Sequence, residues 1–247
     1  LSGRLATFSV MRSVAITAHR GASGEHPENT RSAFQAAIDL GVDRIEFDVR
    51  LTRDRQLVVI HDDSVDRISN GTGVIAEMDL AQILQLDAGA HIHARFSGER
   101  FLTLTQTLDL MPGSMHLNVH VKATHTDREV LVPLVVAELV RRQLLATAFV
   151  TGAEANLLTA RRVAPQIEIC SNLPVSRCVA IGCRILQPAN GITTSALVAE
   201  AHAAGIEVHP FYADDAAEMQ RLMDCGVDGI LTNYPRRLQA LLGAPSL

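Results

Sequence analysis

The sequence predicts an α/β protein, and among α/β architectures it favours a (β/α)8 TIM barrel with a small insertion after the second strand. Three observations support this prediction. Short β-branched runs alternate with helical patterns, eight strand candidates follow one another in β–α order, and 247 residues is close to the usual length of such a barrel. This order favours parallel strands with helices outside them.

The first part of the chain supplies the first strand, its helix and the second strand. Residues 14–18 are a buried strand candidate. Residues 30–40 follow as a helix, with Asn29 as its N-cap and Gly41 as its end. The second strand is predicted at residues 44–49.

A hairpin is predicted to extend the second strand. Residues 53–56 are polar and turn-like, and an apolar strand candidate follows them. A turn centred between Asp54 and Arg55 places Asp48 opposite His61. The hairpin is therefore expected to bring a histidine beside a carboxylate.

The rest of the chain continues the alternation. Strands are predicted at residues 115–122, 148–151, 168–173, 184–187, 207–212 and 229–233. Helices are predicted at residues 127–143, 154–163, 194–204 and 215–225, and the helix after residue 173 is expected to be short or irregular. Gly205 and Gly226 are expected to end the helices that precede them.

The domain organisation follows from the same pattern. Residues 62–101 are too many for a bare loop, and we expect them to form a small insertion at the mouth of the barrel, with one helical stretch near 79–86. No repeat or linker indicates a second domain, so residues 11–247 are predicted to be a single TIM-barrel domain. Residues 1–10, which precede Met11, are interpreted as an N-terminal extension or a remnant of cloning.

Composition excludes several partners. The chain has 22 Lys and Arg against 27 Asp and Glu, a formal net charge of -5, so nucleic acid is not expected to be a partner. No apolar run has the roughly 20 residues of a membrane helix, so stable membrane insertion is not expected. The four cysteines form no C-x-x-C pair, which favours free thiols and a reducing, cytoplasmic location. The oligomeric state is left open.

Strand parity places polar rows inside the predicted barrel, because alternate side chains of a strand point to the same face. The row on the second strand is Glu46, Asp48 and Arg50, and the row on the strand at 115–122 is His116, Asn118, His120 and Lys122. Branched apolar side chains normally fill a barrel core. A polar row there carries a desolvation cost unless it is paired or binds a ligand.

Two carboxylates on one strand face, Glu46 and Asp48, would repel each other if both were buried and ionised. A divalent cation with oxygen ligands would remove that repulsion. An ion pair with Arg44, Arg50 or Lys122 would also do so. The spacing alone leaves both interpretations open.

Two histidines end predicted strands at the end of the barrel where active sites lie. His19 ends the first strand, and His61 ends the second arm of the hairpin. Imidazole titrates near neutral pH, so the pair could serve as acid and base. Arg20 and Lys122 add two cations that suit a phosphate. Phe211, at the end of a later strand, could pack against an apolar part of a substrate or belong to the core.

These residues carry a resemblance to the glycerophosphodiester phosphodiesterase family that extends from about Met11 to the C-terminal region. The motifs that carry it are His19-Arg20-Gly21, Pro27-Glu28-Asn29-Thr30, Glu46-Phe47-Asp48-Val49, His61-Asp62, Arg67, Gly71-Thr72-Gly73 and Gly226-Val227-Asp228-Gly229-Ile230-Leu231-Thr232-Asn233-Tyr234-Pro235. The order and spacing of these pieces are highly specific.

The resemblance implies a (β/α)8 barrel and hydrolysis of glycerophosphodiesters, small molecules of glycerol and lipid metabolism, to glycerol 3-phosphate and an alcohol. It also implies one divalent cation, Mg²⁺ or Ca²⁺. The family positions correspond here to the acid–base pair His19 and His61, the metal ligands Glu46 and Asp48, and the phosphate-binding residues Arg20 and Lys122.

One departure from the family pattern concerns the metal. His120 stands where the family has a glutamate that is the third protein ligand, and parity still points it inward. A neutral imidazole would weaken the binding of Mg²⁺ or Ca²⁺ and favour Mn²⁺, Zn²⁺ or Fe²⁺. Milder departures are Phe211-Tyr212 in place of a common Trp-Thr pair, and Asn233 in place of a common Asp.

Parts of the pattern also allow three other functions. A lysophospholipase D-type phosphodiesterase would act on a diester with a long acyl chain, but no exposed amphipathic membrane helix stands out. A non-catalytic phosphodiester-binding barrel would follow if His120 abolished the metal site. A sugar-phosphate isomerase or aldolase would need an enolisation base or a Schiff-base lysine, and Lys122 is the only lysine of the chain.

Overall fold

The structure is a computed structural model that describes residues 14–243. Ten strands form one sheet: β1 Ala15–His19, β2 Arg44–Leu51, β3 Leu57–Val59, β4 Leu102–Thr103, β5 His116–Val121, β6 Ala148–Thr151, β7 Glu168–Ser171, β8 Ile185–Leu186, β9 Glu207–Val208 and β10 Gly229–Thr232. Nine α-helices lie in the described residues: α1 Arg31–Asp39, α2 Leu80–Ile83, α3 Leu104–Leu110, α4 Arg128–Arg141, α5 Glu154–Val163, α6 Val175–Ile181, α7 Ser195–Ala203, α8 Ala216–Asp224 and α9 Pro235–Leu241. Between residues 14 and 243, no helix combines the length and apolarity needed to cross a bilayer.

Eight of the strands run parallel in the order β10-β1-β2-β5-β6-β7-β8-β9, and β3 and β4 extend the sheet from β2. β9 and β10, at the two ends of this order, are not paired as strands, but three backbone hydrogen bonds join the segments that contain or flank them. The N–H groups of Asp228, Leu231 and Ala213 donate to the carbonyls of Val208, Pro210 and Leu231, respectively. The predicted TIM-barrel fold, with its insertion after the second strand, is confirmed.

The core follows from strand parity. Ile45, Phe47 and Val49 on β2 are fully buried on the outer face of the sheet, against the surrounding helices. Leu117, Val119 and Val121 on β5 are buried in the same way. Their burial leaves the inner faces of both strands to the polar rows that the sequence predicts.

The start of α1 differs from the prediction by one residue. The N-cap is Thr30, whose Oγ1 accepts a hydrogen bond from the backbone N–H of Ala33 at 3.4 Å. Asn29 has a φ of 57° and turns its side chain into the barrel, where Nδ2 donates to Asp48 Oδ2 at 3.1 Å. Asn29 is therefore bound to the site, and its neighbour caps the helix.

The predicted register of the hairpin is wrong by one residue. Val49 pairs with Val59, and the N–H of Ile60 donates to the Asp48 carbonyl, so Ile60 and not His61 faces Asp48. The cause is a turn of three residues, centred on Asp54, in which Arg55 adopts a φ of 59°. A shift of one residue sends a side chain to the other face, and His61 reaches the cavity from beyond the strand.

The insertion has a small core of its own beside the barrel. The buried apolar side chains between positions 58 and 101 pack together there, namely Val58, Ile60, Val65, Ile68, Ile75, Ile83, Ala88 and Phe101. The predicted helical stretch contracts to α2, which starts with a capping box between Asp79 and Gln82. The expected extension at residues 1–10 lies outside the described residues, and the single-domain interpretation stays a prediction.

We expect Asp87→Ala to destabilise the protein near pH 7, because the Asp87 carboxylate accepts the backbone N–H groups of Ala90, Gly98 and Gly89 at 2.6–2.8 Å. These hydrogen bonds lower the pKa of Asp87 to about 2. A depressed folded-state pKa stabilises the fold above the unfolded-state pKa of about 3.9, and this contribution is lost as the pH falls toward 2. Thermal unfolding should therefore separate the variant from the wild type near pH 7 and bring the two together toward pH 2.

The matched control is Asp39→Ala, because Asp39 is exposed at the end of α1 and its side chain contacts only Gln35 among the described hydrogen bonds. An Asp87 variant as stable as this control near pH 7 would contradict the assigned role.

Candidate active site

A cavity of about 500 Å³ opens at the carboxyl ends of the barrel strands. The predicted site residues that line it are His19, Arg20, Glu46, His61, His120, Lys122 and Phe211. Asp48, the remaining predicted site residue, is fully buried next to Glu46 and His120. The fold thus brings all the predicted site residues to one end of the barrel.

A second cavity, of about 710 Å³, lies at the opposite end. Polar residues that begin strands line it, including Arg44, His116 and Glu168. Arg44 Nη2 lies 3.8 Å from Glu207 Oε2, so Arg44 does not pair with the buried carboxylates above. None of the residues predicted to act on a substrate lines this cavity in the described part of the chain.

The candidate metal ligands come from two neighbouring strands. β2 and β5 are paired in parallel with Asp48 opposite His120. One ligand atom from each of Glu46, Asp48 and His120 lies within 4.8 Å of the others. His120 Nδ1 is 3.2 Å from Asp48 Oδ1 and 3.7 Å from Glu46 Oε1. Three potential ligands therefore surround one point inside the barrel.

The surroundings of Asp48 Oδ1 favour a cation at this point. The atom is buried and accepts no hydrogen bond of good geometry, although His120 Nδ1 and, at 3.3 Å, Lys122 Nζ lie near it. A buried carboxylate oxygen without a donor is costly. Two carboxylates and an imidazole form a donor set that divalent cations accept. The residues present therefore fit one divalent cation.

A neutral amide and a guanidinium approach the same carboxylate on its other side. Asp48 Oδ2 accepts from Asn29 and lies 3.4 Å from Arg20 Nε. Burial raises the pKa of Asp48, but its contacts with His120 first, and then with Lys122 and Arg20, outweigh burial and hold this pKa well below the usual range. Asp48 is therefore ionised. The metal and ion-pair interpretations are compatible here, because Lys122 contacts the carboxylate beside the candidate metal position.

His120 responds to the same carboxylates. Burial lowers the pKa of His120, but its contacts with Asp48 and Glu46 outweigh burial and raise it above the ordinary value. A histidine binds a metal through a neutral nitrogen. A proton and a cation would therefore compete for His120.

His19 is held from one side by a hydrogen bond and from another by a ring. Its Nδ1 lies 2.7 Å from Asn233 Oδ1. The ring of Tyr212 stacks on the imidazole with centroids 5.1 Å apart. His19 Nε2 lies 3.9 Å from Glu46 Oε2, so this nitrogen points toward the candidate metal ligands.

His61 is held by Asp62, the next residue in the chain, and by Arg50 on β2. The Nε of Arg50 donates to the His61 carbonyl at 2.9 Å, and His61 Nδ1 lies 2.7 Å from Asp62 Oδ1. The contact with a carboxylate oxygen places the proton on Nδ1 and leaves Nε2 for proton transfer. Burial lowers the pKa of His61 below the ordinary value, more than Asp48 and Asp62 raise it.

A charged chain connects the two sides of the cavity. Arg67, in the insertion, donates to Asp62 Oδ2 at 2.6 Å and to both oxygens of Glu28, at 2.8 and 3.0 Å. Glu28 also accepts from Arg20 Nη1 at 3.1 Å. The insertion thereby fixes the partner of His61 and the orientation of Arg20.

The backbone turns sharply where β1 ends. Arg20 and Gly21 have φ values of 58° and 79°, a left-handed conformation that costs a non-glycine residue roughly 1–2 kcal/mol. The N–H of Arg20 donates to Glu46 Oε2 at 3.0 Å, which offsets this cost. A Cβ on Gly21 would lie 2.6 Å from the backbone carbon of Ala33, so only glycine fits there.

Several contacts of the site were not predicted from the sequence. The motifs include Asp62, Glu28 and Arg67, but their hydrogen bonds to one another appear only in the structure. Tyr212 is about half exposed and stacks on His19, which no spacing pattern reveals.

Comparison with known proteins identifies the family. The chain matches the glycerophosphoryl diester phosphodiesterase family over residues 19–237. It is 33% identical to a glycerophosphodiester phosphodiesterase from Caldanaerobacter subterraneus subsp. tengcongensis, over 90% of this chain and 95% of that relative. The chain belongs to the glycerophosphoryl diester phosphodiesterase family.

Two solved structures agree with this membership. An Oleispira antarctica phosphodiesterase in complex with the product sn-glycerol-3-phosphate superposes with a TM-score of 0.87 and 27% identity, over 93% of this chain and 96% of that one. A glycerophosphodiester phosphodiesterase from Agrobacterium tumefaciens gives a TM-score of 0.81 and 28% identity, over 92% and 99%. This member of the family is a phosphoric diester hydrolase, as the motifs predicted.

We expect Gly21→Ala to cost roughly 3 kcal/mol or more of the free energy of unfolding, because the added methyl would meet the backbone of α1. The matched control is Gly41→Ala. Gly41 also has a positive φ, of 67°, but has open space around a Cβ, so this change should cost only about 1 kcal/mol. Urea unfolding measures both, and equal costs would show that Gly21 is kept for its φ alone.

Proposed function

We propose that the protein hydrolyses glycerophosphodiesters to glycerol 3-phosphate and an alcohol, with one divalent cation and with His19 and His61 as acid–base pair. The observation that supports this most directly is the convergence of two histidines and a three-ligand cluster on one cavity. A relative of the same fold binds sn-glycerol-3-phosphate as its product. The substrate is therefore a small molecule.

Glu46, Asp48 and His120 would hold the cation. When bound there, it would polarise a non-bridging phosphoryl oxygen and stabilise negative charge in the transition state. Arg20 and Lys122 both lie beside Asp48 and offset part of the negative charge of the two carboxylates. An added divalent charge would make the cavity positive, which suits an anionic phosphodiester.

Arg20 and Lys122 bind the phosphate. Both side chains are partly exposed in the cavity, and both lie beside Asp48, which holds them in place. Charge on the phosphoryl oxygens grows in the transition state, so cations at fixed positions stabilise it more than the ground state. Phe211 lines the same cavity and offers an apolar surface to the substrate.

The two histidines transfer the protons. One takes a proton from the nucleophile and the other gives a proton to the leaving alcohol. The nucleophile is either water or the glycerol 2-hydroxyl, and in the second case it forms a cyclic phosphate that water then opens to glycerol 3-phosphate. Each has Nδ1 engaged, His19 with Asn233 and His61 with Asp62, which leaves Nε2 for the reaction. A cytoplasmic location belongs to the proposal as well, supported by four free cysteines.

We expect His19→Ala and His61→Ala each to lower turnover of glycerophosphocholine roughly 10²–10⁴-fold without unfolding the protein. His125→Ala is the control, because His125 is exposed outside the cavity. Release of glycerol 3-phosphate measures turnover, and circular dichroism checks the fold. Turnover near that of the wild type in both histidine variants would reject the acid–base assignment.

The metal preference is a separate prediction. After treatment with a chelator, Mn²⁺ or Zn²⁺ should restore activity at lower concentration than Mg²⁺ or Ca²⁺, because His120 supplies a nitrogen ligand. His120→Glu should reverse this order, and calorimetric titration with each metal should give the same ranking of affinities. Restoration by Mg²⁺ alone at low concentration would contradict the predicted preference for Mn²⁺ or Zn²⁺.

Binding of glycerol 3-phosphate with no turnover under any metal would instead support a non-catalytic barrel.

A further inference from the structure

Behind His19, on the side away from the candidate metal ligands, lies a second pair of polar side chains. Asn233 follows β10, and its Oδ1 lies 2.7 Å from His19 Nδ1. The same Oδ1 accepts from Ser23 Oγ at 2.8 Å. Ser23 Oγ also lies 2.7 Å from the His19 carbonyl oxygen. Asn233 therefore contacts the His19 ring directly and is connected to the His19 backbone through Ser23.

Asp214 determines which end of the Asn233 amide faces His19. Asp214 Oδ2 accepts from Asn233 Nδ2 at 2.6 Å, and Oδ1 accepts from the Asn233 backbone N–H at 2.8 Å. An ionised carboxylate can only accept, so it selects the NH2 end of the amide. The carbonyl end is thereby left facing His19, where it can only accept as well.

We propose that Asp214 and Asn233 are positioning residues that fix the proton of neutral His19 on Nδ1 and direct Nε2 into the cavity. A flipped amide would offer a donor to Nδ1 and would favour the proton on Nε2, the opposite tautomer. Stacking of Tyr212 on the imidazole limits rotation of the ring, so the hydrogen bond at Nδ1 decides the tautomer. The inference rests on the proposed acid–base role of His19.

His61 provides an internal comparison. Its Nδ1 partner is the carboxylate of Asp62, its own sequence neighbour. The partner of His19 is a neutral amide, and the carboxylate is one residue further away. Transposing the pair, with Asn at position 214 and Asp at position 233, would keep every hydrogen bond. The new carboxylate would accept from His19 and Ser23, and the new amide would accept from the backbone N–H and donate to that carboxylate.

The test is a cycle of Asp214→Asn, Asn233→Asp and the double variant. Asp214→Asn frees the Asn233 amide to flip and should lower kcat for glycerophosphocholine roughly 10–100-fold, with KM changed little. Asn233→Asp alone places two carboxylates together and should also lower kcat. The double variant should recover most of the lost kcat. Asp215→Asn is the matched control, because Asp215 is an exposed helix cap that Asn can replace.

A readout independent of activity is the tautomer itself. Nitrogen-15 spectra of the ten histidines, with His19 assigned through His19→Ala, should show His19 protonated on Nδ1 in the wild type and in the double variant. Asp214→Asn should give a mixture of tautomers. If His19→Ala leaves turnover intact, the proposed function fails, while the spectra still test whether the pair sets the tautomer.

Two results would overturn the inference: an unchanged tautomer and kcat in Asp214→Asn, or a folded double variant as slow as Asp214→Asn. Should Asp214→Asn fail to fold, Asn233→Ala replaces it, because it removes the acceptor and leaves the Asp214 carboxylate in place. Asn233→Ala is then expected to lose kcat and the single tautomer together, and wild-type values for both would reject the role of Asn233.

Discussion

Two carboxylates in the centre of a barrel, Glu46 and Asp48, are the constraint around which the site is built. Both are almost completely buried, and the interior would exclude them if they were not compensated. The backbone N–H of Arg20 donates to Glu46, while the Asn29 amide and the Lys122 ammonium approach Asp48. The first two groups come from the connection between β1 and α1, and Lys122 directly follows β5, so the pair draws two strand ends together at one place. The left-handed turn at the end of β1 places the Arg20 N–H against Glu46, and the shift of the α1 cap to Thr30 leaves Asn29 free to bind Asp48.

His120 changes the balance of this cluster. A glutamate here would add a third negative charge to the cluster. An imidazole can instead take up a proton, and the neighbouring carboxylates favour that state. The cluster can therefore satisfy its charges with a proton or with a metal. A metal bound here would have to displace that proton, so its affinity would depend more on pH than in a site of three carboxylates.

Strand parity predicted the inner positions of Glu46, Asp48 and His120, because alternation along an extended chain is a geometric necessity. It could not predict the hairpin register, since the turn length depends on Arg55 adopting a conformation that arginine seldom takes. Nor did it predict α3, although Thr103 and Gln106 form a capping box at its start. Alternation thus predicted the faces of strands, while turn lengths and helix starts depend on the conformations and hydrogen bonds of single residues, which alternation does not describe.

The two histidines show how far the local sequence determines the contacts of a site residue. His61 is oriented by Asp62, the next residue in the chain, so its environment is encoded locally. His19 is oriented by Asn233, which follows β10, the strand that pairs with β1 in the sheet but lies far from it in the sequence. Asp214, which bonds the Asn233 amide, follows β9 and meets it at the seam between β9 and β10. The N–H of Ala213 donates to the Leu231 carbonyl at that seam, directly before Asp214 and near Asn233. Orientation of His19 therefore depends on contacts between segments that are far apart in the sequence, which local patterns do not encode.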